Sequence, residues 1–492
     1  MTVTELIFLQ AQERPAHPAI EDGDRVVTYA ELTTLTHRCA KQLQARGIGS
    51  GDVVVLSLPE STEHIAVLLA LARLGAVGLS ADAKSPDIEK AKGIRDLAVK
   101  TAIVRDPLVG FLDLTTVPVA ALFDDRGSGE SSLDVPVPDD DAPLMVSQTS
   151  GTTGAPKRLL ITHRQMIDRN QRTIASLGLT SADRYFQVPY LRFLAGRRRC
   201  LAMLMTGATV VLNHAETIAD YGRWISERGI SHVYFTPYHL RVMLSRAAGD
   251  TPLWPNLKIA LGSAPVTPAE RLLARRRLTP HLYEFYSVNE VGDIAMAMPA
   301  DQDRYPGSVG RVLPGIEAEV VDENDVPLPT GQTGFIRFRG VHFPTEYLGD
   351  GEATTRRFRD GWLYPGDLAA VNDEGYIFFG GRADDIINNS GVKYDPAEVE
   401  AVLLSHPSVA DAAVVGGPHP EFGEVSVAYI VRSAAVSAEE LYNFCASKMD
   451  RYKAPRWVMF LAELPRVATG KPDKRMLKEN FRRYIETKSG SS

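Results

Sequence analysis

Between Met145 and His163 the chain reads Met-Val-Ser-Gln-Thr-Ser-Gly-Thr-Thr-Gly-Ala-Pro-Lys-Arg-Leu-Leu-Ile-Thr-His. Five hydroxyl residues, two glycines and a lysine lie between two apolar runs, Leu144-Met145-Val146 and Leu159-Leu160-Ile161, which read as strands entering and leaving a tight loop. Gly151 and Gly154 let the backbone turn its N–H groups inward without a Cβ in the way. Ser150, Thr152 and Thr153 add hydroxyl donors around the same concavity. Such a nest takes an anion, and Lys157 adds a point charge to it. The spacing Gly-x-x-Gly-x-x-Lys departs from Gly-x-x-x-x-Gly-Lys-Ser/Thr and no helix is expected to follow, so the common nucleotide-triphosphatase loop is disfavoured.

Further along, five stretches carry small, acidic or basic residues in turns. They are Ile259-Ala260-Leu261-Gly262-Ser263-Ala264-Pro265, Tyr286-Ser287-Val288-Asn289-Glu290, Gly361-Trp362-Leu363-Tyr364-Pro365-Gly366-Asp367-Leu368, Phe378-Phe379-Gly380-Gly381-Arg382-Ala383-Asp384-Asp385, and Leu464-Pro465-Arg466-Val467-Ala468-Thr469-Gly470-Lys471-Pro472-Asp473-Lys474-Arg475. Gly and Ala permit close backbone approach to a flat ring. A carboxylate such as Asp367 accepts from two O–H donors at once, and Glu290 adds a second carboxylate.

The elements that must position these residues alternate at short spacing. A helix is expected over 6–12, another ends near Ala45 before Gly47, a β-branched strand over 53–58 follows, and a helix over 60–74 stops at Gly75. That alternation marks a parallel α/β sheet. The apolar stretch 65–79 is interrupted by Arg73 and is short for a bilayer span, so it reads as a buried helix. The acidic, Ser/Gly/Pro-rich stretch 124–141 reads as a surface connection. The last hundred or so residues alternate strand (409–415, 425–431) and helix (438–449) after Pro396 in a helix first turn, a small α+β domain. The runs Arg197-Arg198-Arg199 and Arg275-Arg276-Arg277 read as solvated faces.

A chain of 492 residues exceeds one core and suggests about three domain-sized units. With 44% hydrophobic and 23% charged residues it can bury an ordinary interior. A net charge of -7 gives no global attraction to nucleic acid or anionic membrane. Three distant cysteines form no Cys-x-x-Cys pair, which fits a reducing, cytoplasmic setting. The amino terminus turns polar too early for a signal peptide.

Taken in this order along nearly the whole chain, the motifs resemble those of the adenylate-forming superfamily: acyl-CoA synthetases, nonribosomal adenylation domains and luciferases. The resemblance implies a large N-terminal domain of parallel-rich sheets with helices, 1–383, and a small mobile α+β domain, 384–492. It implies that residues 150–157 cradle ATP phosphates, that Gly262, Ser263, Ala264 and Pro265 lie against adenine, and that Tyr286 stacks on it. Glu290 would hold Mg2+, with Asn289 standing where the family has Thr. Asp367 and Arg382 would grip the ribose, Asp384 would be the hinge and Lys471 the mobile catalytic lysine. Ser287, where the family has Gly, would narrow the acyl pocket floor. Arg192, in Val188-Pro189-Tyr190-Leu191-Arg192, takes roughly the place of the residue at the pocket mouth, where a guanidinium favours a second anionic or polar group on the substrate.

The function so implied is activation of a small or aromatic carboxylic acid as acyl-AMP, then transfer to a thiol of CoA or of a carrier protein's phosphopantetheine. No carrier domain follows Lys471, so a carrier would be a separate chain. Two other readings stay open: adenylation of another oxyanion such as nitrite with delivery to an amine, and a nucleotide-binding protein without catalysis.

Overall fold

The computed structural model describes residues 1–81, 87–106, 111–124, 136–149, 157–264, 266–390, 392–467 and 470–489. Two parallel-rich sheets carry the first 312 residues. In the nine-stranded sheet Arg184–Gln187, Thr209–Leu212, His232–Phe235, Lys258–Leu261 and Leu282–Val288 run parallel, and Gly292–Ala297 turns back antiparallel to the last of them. In a six-stranded sheet Val53–Ser57, Val77–Ser80, Val99–Val104, Thr115–Pro118 and Pro143–Thr149 are parallel. Lys157–Thr162 returns antiparallel to Pro143–Thr149, pairing Thr149 with Lys157. The two strands expected around the glycine-rich loop are therefore present. A helix begins only after the second strand, at His163.

Local signals set the helix ends. Thr28 and Glu31 form a reciprocal capping box that starts Tyr29–Gln44. Ser61 caps Thr62–Leu74, and Gly75 ends it at φ 71°, a left-handed conformation that a Cβ would strain. Apart from Glu63 and Arg73, every residue of that helix is buried, but the apolar stretch 65–79 is not one helix: Gly75 ends the helix and Val77–Ser80 continues as a buried strand. No helix among the described residues is long and apolar enough to cross a membrane.

A second six-stranded sheet, mostly antiparallel, follows. Its strands include Ile316–Val321, Gly334–Gly340, Asp367–Val371 and Ile377–Arg382. The remainder forms a separate sheet of Ile387–Asn389, Val392–Tyr394, Val409–His419, Gly423–Arg432 and Trp457–Leu461, flanked by Pro396–Leu404, Ala438–Lys448 and Lys474–Ser489. Its apolar clusters draw only on residues from Ile387 onward, whereas the other three clusters use residues 3–377. The chain is thus a large α/β body with a smaller α+β body attached. Arg466 of the smaller body lies over the Tyr238 ring of the larger, 4.6 Å from its centroid.

One expectation fails here. Arg197, Arg198 and Arg199 are 2%, 4% and 3% exposed, because the helix Leu194–Thr206 is buried on every side from Gly196 to Met205. Their partners lie far away in sequence: Arg198 bonds Thr173 and Asp293, and Arg197 bonds Ser80. Arg275, Arg276 and Arg277 do sit at a helix end, where Arg275 pairs with Asp303 and Arg276 with Asp250.

Candidate active site

The C-terminal ends of parallel strands open onto the site, as is usual for open α/β sheets. The strand Pro143–Thr149 leads to residues 150–156, so Ser150, Gly151, Thr152, Thr153 and Gly154 lie outside the described residues, as do Pro265 and Gly391. Lys258–Leu261 delivers Gly262, Ser263 and Ala264. Leu282–Val288 carries Tyr286 and Ser287, and the turn after it carries Asn289 and Glu290.

Four predicted residues meet at Asp367, the first residue of its strand. Its carboxylate accepts a hydrogen bond from the Tyr286 hydroxyl through Oδ2, and Arg382 Nη1 lies 3.0 Å from Oδ1. Arg382 faces Asp367 because the two are paired across adjacent antiparallel strands. Oδ1 is buried and receives no hydrogen bond of good geometry among the described residues, so the acceptor is left with capacity for an O–H donor. Burial pushes the Asp367 carboxyl above the usual carboxylate range, against the opposing pull of Arg382, Tyr286, Arg357 and Lys471. Lys471 comes from the smaller body. Its side chain remains exposed, yet its ammonium has enough protein around it for burial to hold its pKa below that of an ordinary lysine, with Arg382 acting the same way and Asp367 opposing. Asp384 lies two residues past Arg382, 3.9 Å from its guanidinium and well exposed.

A second group forms around Tyr347, a residue that no motif in the chain singles out. Its hydroxyl donates to Glu290 Oε1, and Lys157 Nζ lies over its ring, 5.2 Å from the centroid. Tyr347 therefore links the base of the glycine-rich loop to the carboxylate expected to hold a cation. Burial lowers the Lys157 pKa, with Arg357 and Arg356 adding to the effect and Glu290 and Asp350 opposing it. Lys157, Arg356, Arg357, Arg359, Tyr364 and Asp384 line a cavity of about 280 Å³, whose other wall includes Asp322 and Glu323. The main chain of the Glu290 turn is braced from behind: Arg169 donates to the carbonyls of Asn289 and Glu290, and Arg172 to that of Val291.

At Gly262 a Cβ would lie 2.3 Å from Tyr234 Oη, so only glycine fits against that ring. Ser263 next to it holds φ 81°, a conformation uncommon for a residue with a side chain, and its Oγ is 3.3 Å from Tyr234 Oη. Ser287 is exposed, and its hydroxyl donates to Asp293 Oδ1 at 2.8 Å. Arg192 stacks between two rings, 4.8 Å from the centroid of Tyr190 and 5.0 Å from that of Phe193. Beside it Glu60 accepts from the Leu191 N–H at 2.9 Å, and burial lifts its carboxyl to about 7 despite that bond and Arg192.

These residues fit the groups expected of them. An acceptor left open on buried Asp367, with Arg382 beside it, suits vicinal hydroxyls of a ribose. The turn of small residues Gly262, Ser263 and Ala264 at the strand end suits a flat base. One oriented carboxylate at Glu290 suits magnesium, which keeps most of its ligands from water and substrate phosphates. Bound there, magnesium would neutralise phosphate charge.

Comparison with known proteins agrees with this geometry. The chain matches the model of the AMP-binding enzyme over residues 7–348 and that of the AMP-binding enzyme C-terminal domain over 398–471. It is 30% identical to the indoleacetate–CoA ligase of Aromatoleum aromaticum, covering 99% of each chain. It is 28% identical to a fatty acid–[acyl-carrier-protein] ligase of Streptomyces coeruleorubidus, over 98% of this chain and 96% of that one. The o-succinylbenzoate CoA synthetase from Bacillus subtilis, solved with its acyl-adenylate intermediate, superposes with a TM-score of 0.87 at 26% identity, covering 96% and 97% of the two chains. In complex with ATP and magnesium ion the same enzyme gives 0.87 at 26% identity, covering 96% and 99%. This chain belongs to the AMP-binding enzyme family, the adenylate-forming superfamily of ligases.

Proposed function

We propose that this chain activates a small or aromatic carboxylic acid with ATP and passes the acyl group to a thiol. The observation that supports this reading is that Tyr286 and Arg382 contact Asp367 while Lys471, from the smaller body, feels the charge of the same carboxylate. A carboxylate oxygen attacks the α-phosphorus of ATP, the bond from that phosphorus to the bridging oxygen breaks, and pyrophosphate leaves with the electron pair. The thiol sulfur then attacks the acyl carbon and AMP departs.

The roles follow from position and charge. Ser150, Gly151, Thr152, Thr153, Gly154 and Lys157 hold the β and γ phosphates, Glu290 would hold a magnesium ion that neutralises phosphate charge, and Asp367 with Arg382 fixes the ribose. Gly262, Ser263, Ala264, Pro265 and Tyr286 hold the base, with Ser287 beside them and Asn289 oriented to the phosphates. Lys471 neutralises charge where the carboxylate meets the α-phosphate, since the reaction demands positioning and electrostatic stabilisation more than covalent help. A boundary at Asp384 would let the smaller body turn about a few backbone angles between the two half-reactions. The relatives named for CoA and for a carrier protein support either thiol as acceptor.

The test is pyrophosphate release from ATP across aliphatic, aryl and amino acids plus nitrite, each with and without CoA. Acid-dependent release that turns over with CoA supports a CoA ligase. Acid-dependent release that stops without turnover supports a carrier-protein acceptor. Release with nitrite alone, or none at all, contradicts the proposal.

A further inference from the structure

Beside the strand that carries Ser287, and joined to it through Asp293, lies a buried positive excess that the chemistry above does not use. Arg198 and Arg199 share one carboxylate, Asp293, whose Oδ1 is 2.9 Å from Arg198 and 3.7 Å from Arg199. Asp293 already accepts from Thr173 at 2.7 Å and from Ser287 at 2.8 Å, so Arg199 has only its outer margin. Arg197 bonds the hydroxyl of Ser80 and has no carboxylate partner among the described residues. Arg199 Nε and Nη1 are buried and have no hydrogen-bond acceptor among the described residues, and the nearby buried hydroxyl of Tyr185 has no partner either. A buried guanidinium with two idle donors is costly, and native structures seldom leave such donors empty.

The location ties this excess to the acid side of the site. The Arg199 guanidinium carbon lies over the Tyr234 ring, 3.8 Å from its centroid, and the hydroxyl of that same ring meets Ser263. Ala195, four residues earlier and on the same helix face, is exposed, so that face passes from solvent to Arg199 in one turn. Ser287, bonded to Asp293, is exposed, and Ser263, bonded to Tyr234, is half-buried.

We propose that the acid activated here carries a second anionic group, a carboxylate or sulfonate, and that Arg199 receives it at the inner end of the acyl recess. This rests on the acid-activating reading above and names its substrate class. The second anion gives the idle Nε–H and Nη1–H their acceptors and balances the charge that Asp293 leaves over. Arg192, held between Tyr190 and Phe193 at the mouth, steers the same anion inward.

The test uses matched pairs that differ only in the distal group: butyrate with succinate, valerate with glutarate, and 3-phenylpropionate with 3-(4-carboxyphenyl)propionate, plus 3-sulfopropionate as the sulfonate arm. The readout is the ratio of kcat/KM for acid-dependent pyrophosphate release within each pair. The intact chain is expected to favour the anionic member of at least one pair by about tenfold to a hundredfold. Arg199→Met should bring that ratio to near one, and Arg199→Lys should restore part of it, a pattern that a purely structural role would not give. Preference for the sulfonate over the carboxylate assigns the anion within the same proposal. A preference of the intact chain for the neutral member of every pair, or a ratio unchanged in Arg199→Met, overturns the inference while leaving acid activation standing. Release with no acid at all overturns both. The preference of the intact chain decides the matter even if Arg199→Met does not fold.

Discussion

The hydroxyl of Tyr286 donates to the carboxylate of Asp367, eighty-one residues further along and in a different sheet. One strand belongs to the parallel-rich nine-stranded sheet and the other to the antiparallel sheet that follows it, so this bond joins the two sheets at the proposed nucleotide site. Asp367→Asn keeps the shape and removes the charge that Arg382 faces. Charge-assisted hydrogen bonds contribute about 1.5–3 kcal/mol, so the affinity for ATP should fall about tenfold to a hundredfold. Nucleotide titration measures it, and Tyr286→Phe should lose less because it removes a neutral donor.

Lys471→Ala should slow adenylation about a hundredfold to a thousandfold. Equilibrium binding of ATP should change little, since the proposed nucleotide contacts lie on the larger body. Normal pyrophosphate release by this variant would remove the lysine from the reaction.

The lowered pKa of Lys471 sets the pH dependence of the same step. The charged lysine is the active form, and its charge is lost as pH rises through the folded-state pKa. The rate should therefore decline on the alkaline side at a lower pH than an ordinary lysine would give. A pH–rate profile of the first half-reaction shows that limb, and the residual activity of Lys471→Ala should lack it.

Glu60 gives a stability prediction of definite sign. Its folded-state pKa is raised from 4.5 to about 7, with burial as the main cause. A raised carboxyl pKa means that the folded chain binds the proton more tightly than the unfolded chain. Its contribution is fully present below the unfolded value and is lost as pH rises through about 7. The Tm of the intact chain relative to Glu60→Gln should accordingly fall between about pH 5 and pH 8. A difference that stays flat over that range would show that Glu60 is not held protonated.

Gly262→Ala should destabilise the chain by about 1–3 kcal/mol and weaken nucleotide binding, because the new methyl meets Tyr234 Oη. Tyr234→Phe in the same chain should recover part of the stability by removing that oxygen. Denaturant melts of the two single variants and the double variant give the coupling directly.

What the sequence disclosed follows the range of the interactions. Capping boxes such as Thr28 with Glu31, the stop at Gly75 and the apolar run of 65–74 are local, and each appears as a helix end or a buried helix. The motif order brought Asp367, Arg382, Tyr286 and Lys471 together, because each lies in a turn whose own residue types mark it. The arginine run at 197–199 misled, since a string of charges reads as solvated unless its partners are known. Asp293, Ser80 and Tyr234 stand on strands far along the chain. Tyr347 was missed for the same reason: its meaning comes from Glu290 and Lys157, and nothing in Pro344-Thr345-Glu346 points to either.

The smaller body has apolar clusters of its own, separate from those that hold Asp367 and Glu290. Two such clusters need not melt together, and each can open with its own free energy. Heat that loosens only the smaller one takes Lys471 away from an intact nucleotide site. The chain would then hold ATP without consuming it, so thermal inactivation would precede the loss of nucleotide affinity, and cooling would restore turnover as that one unit refolds.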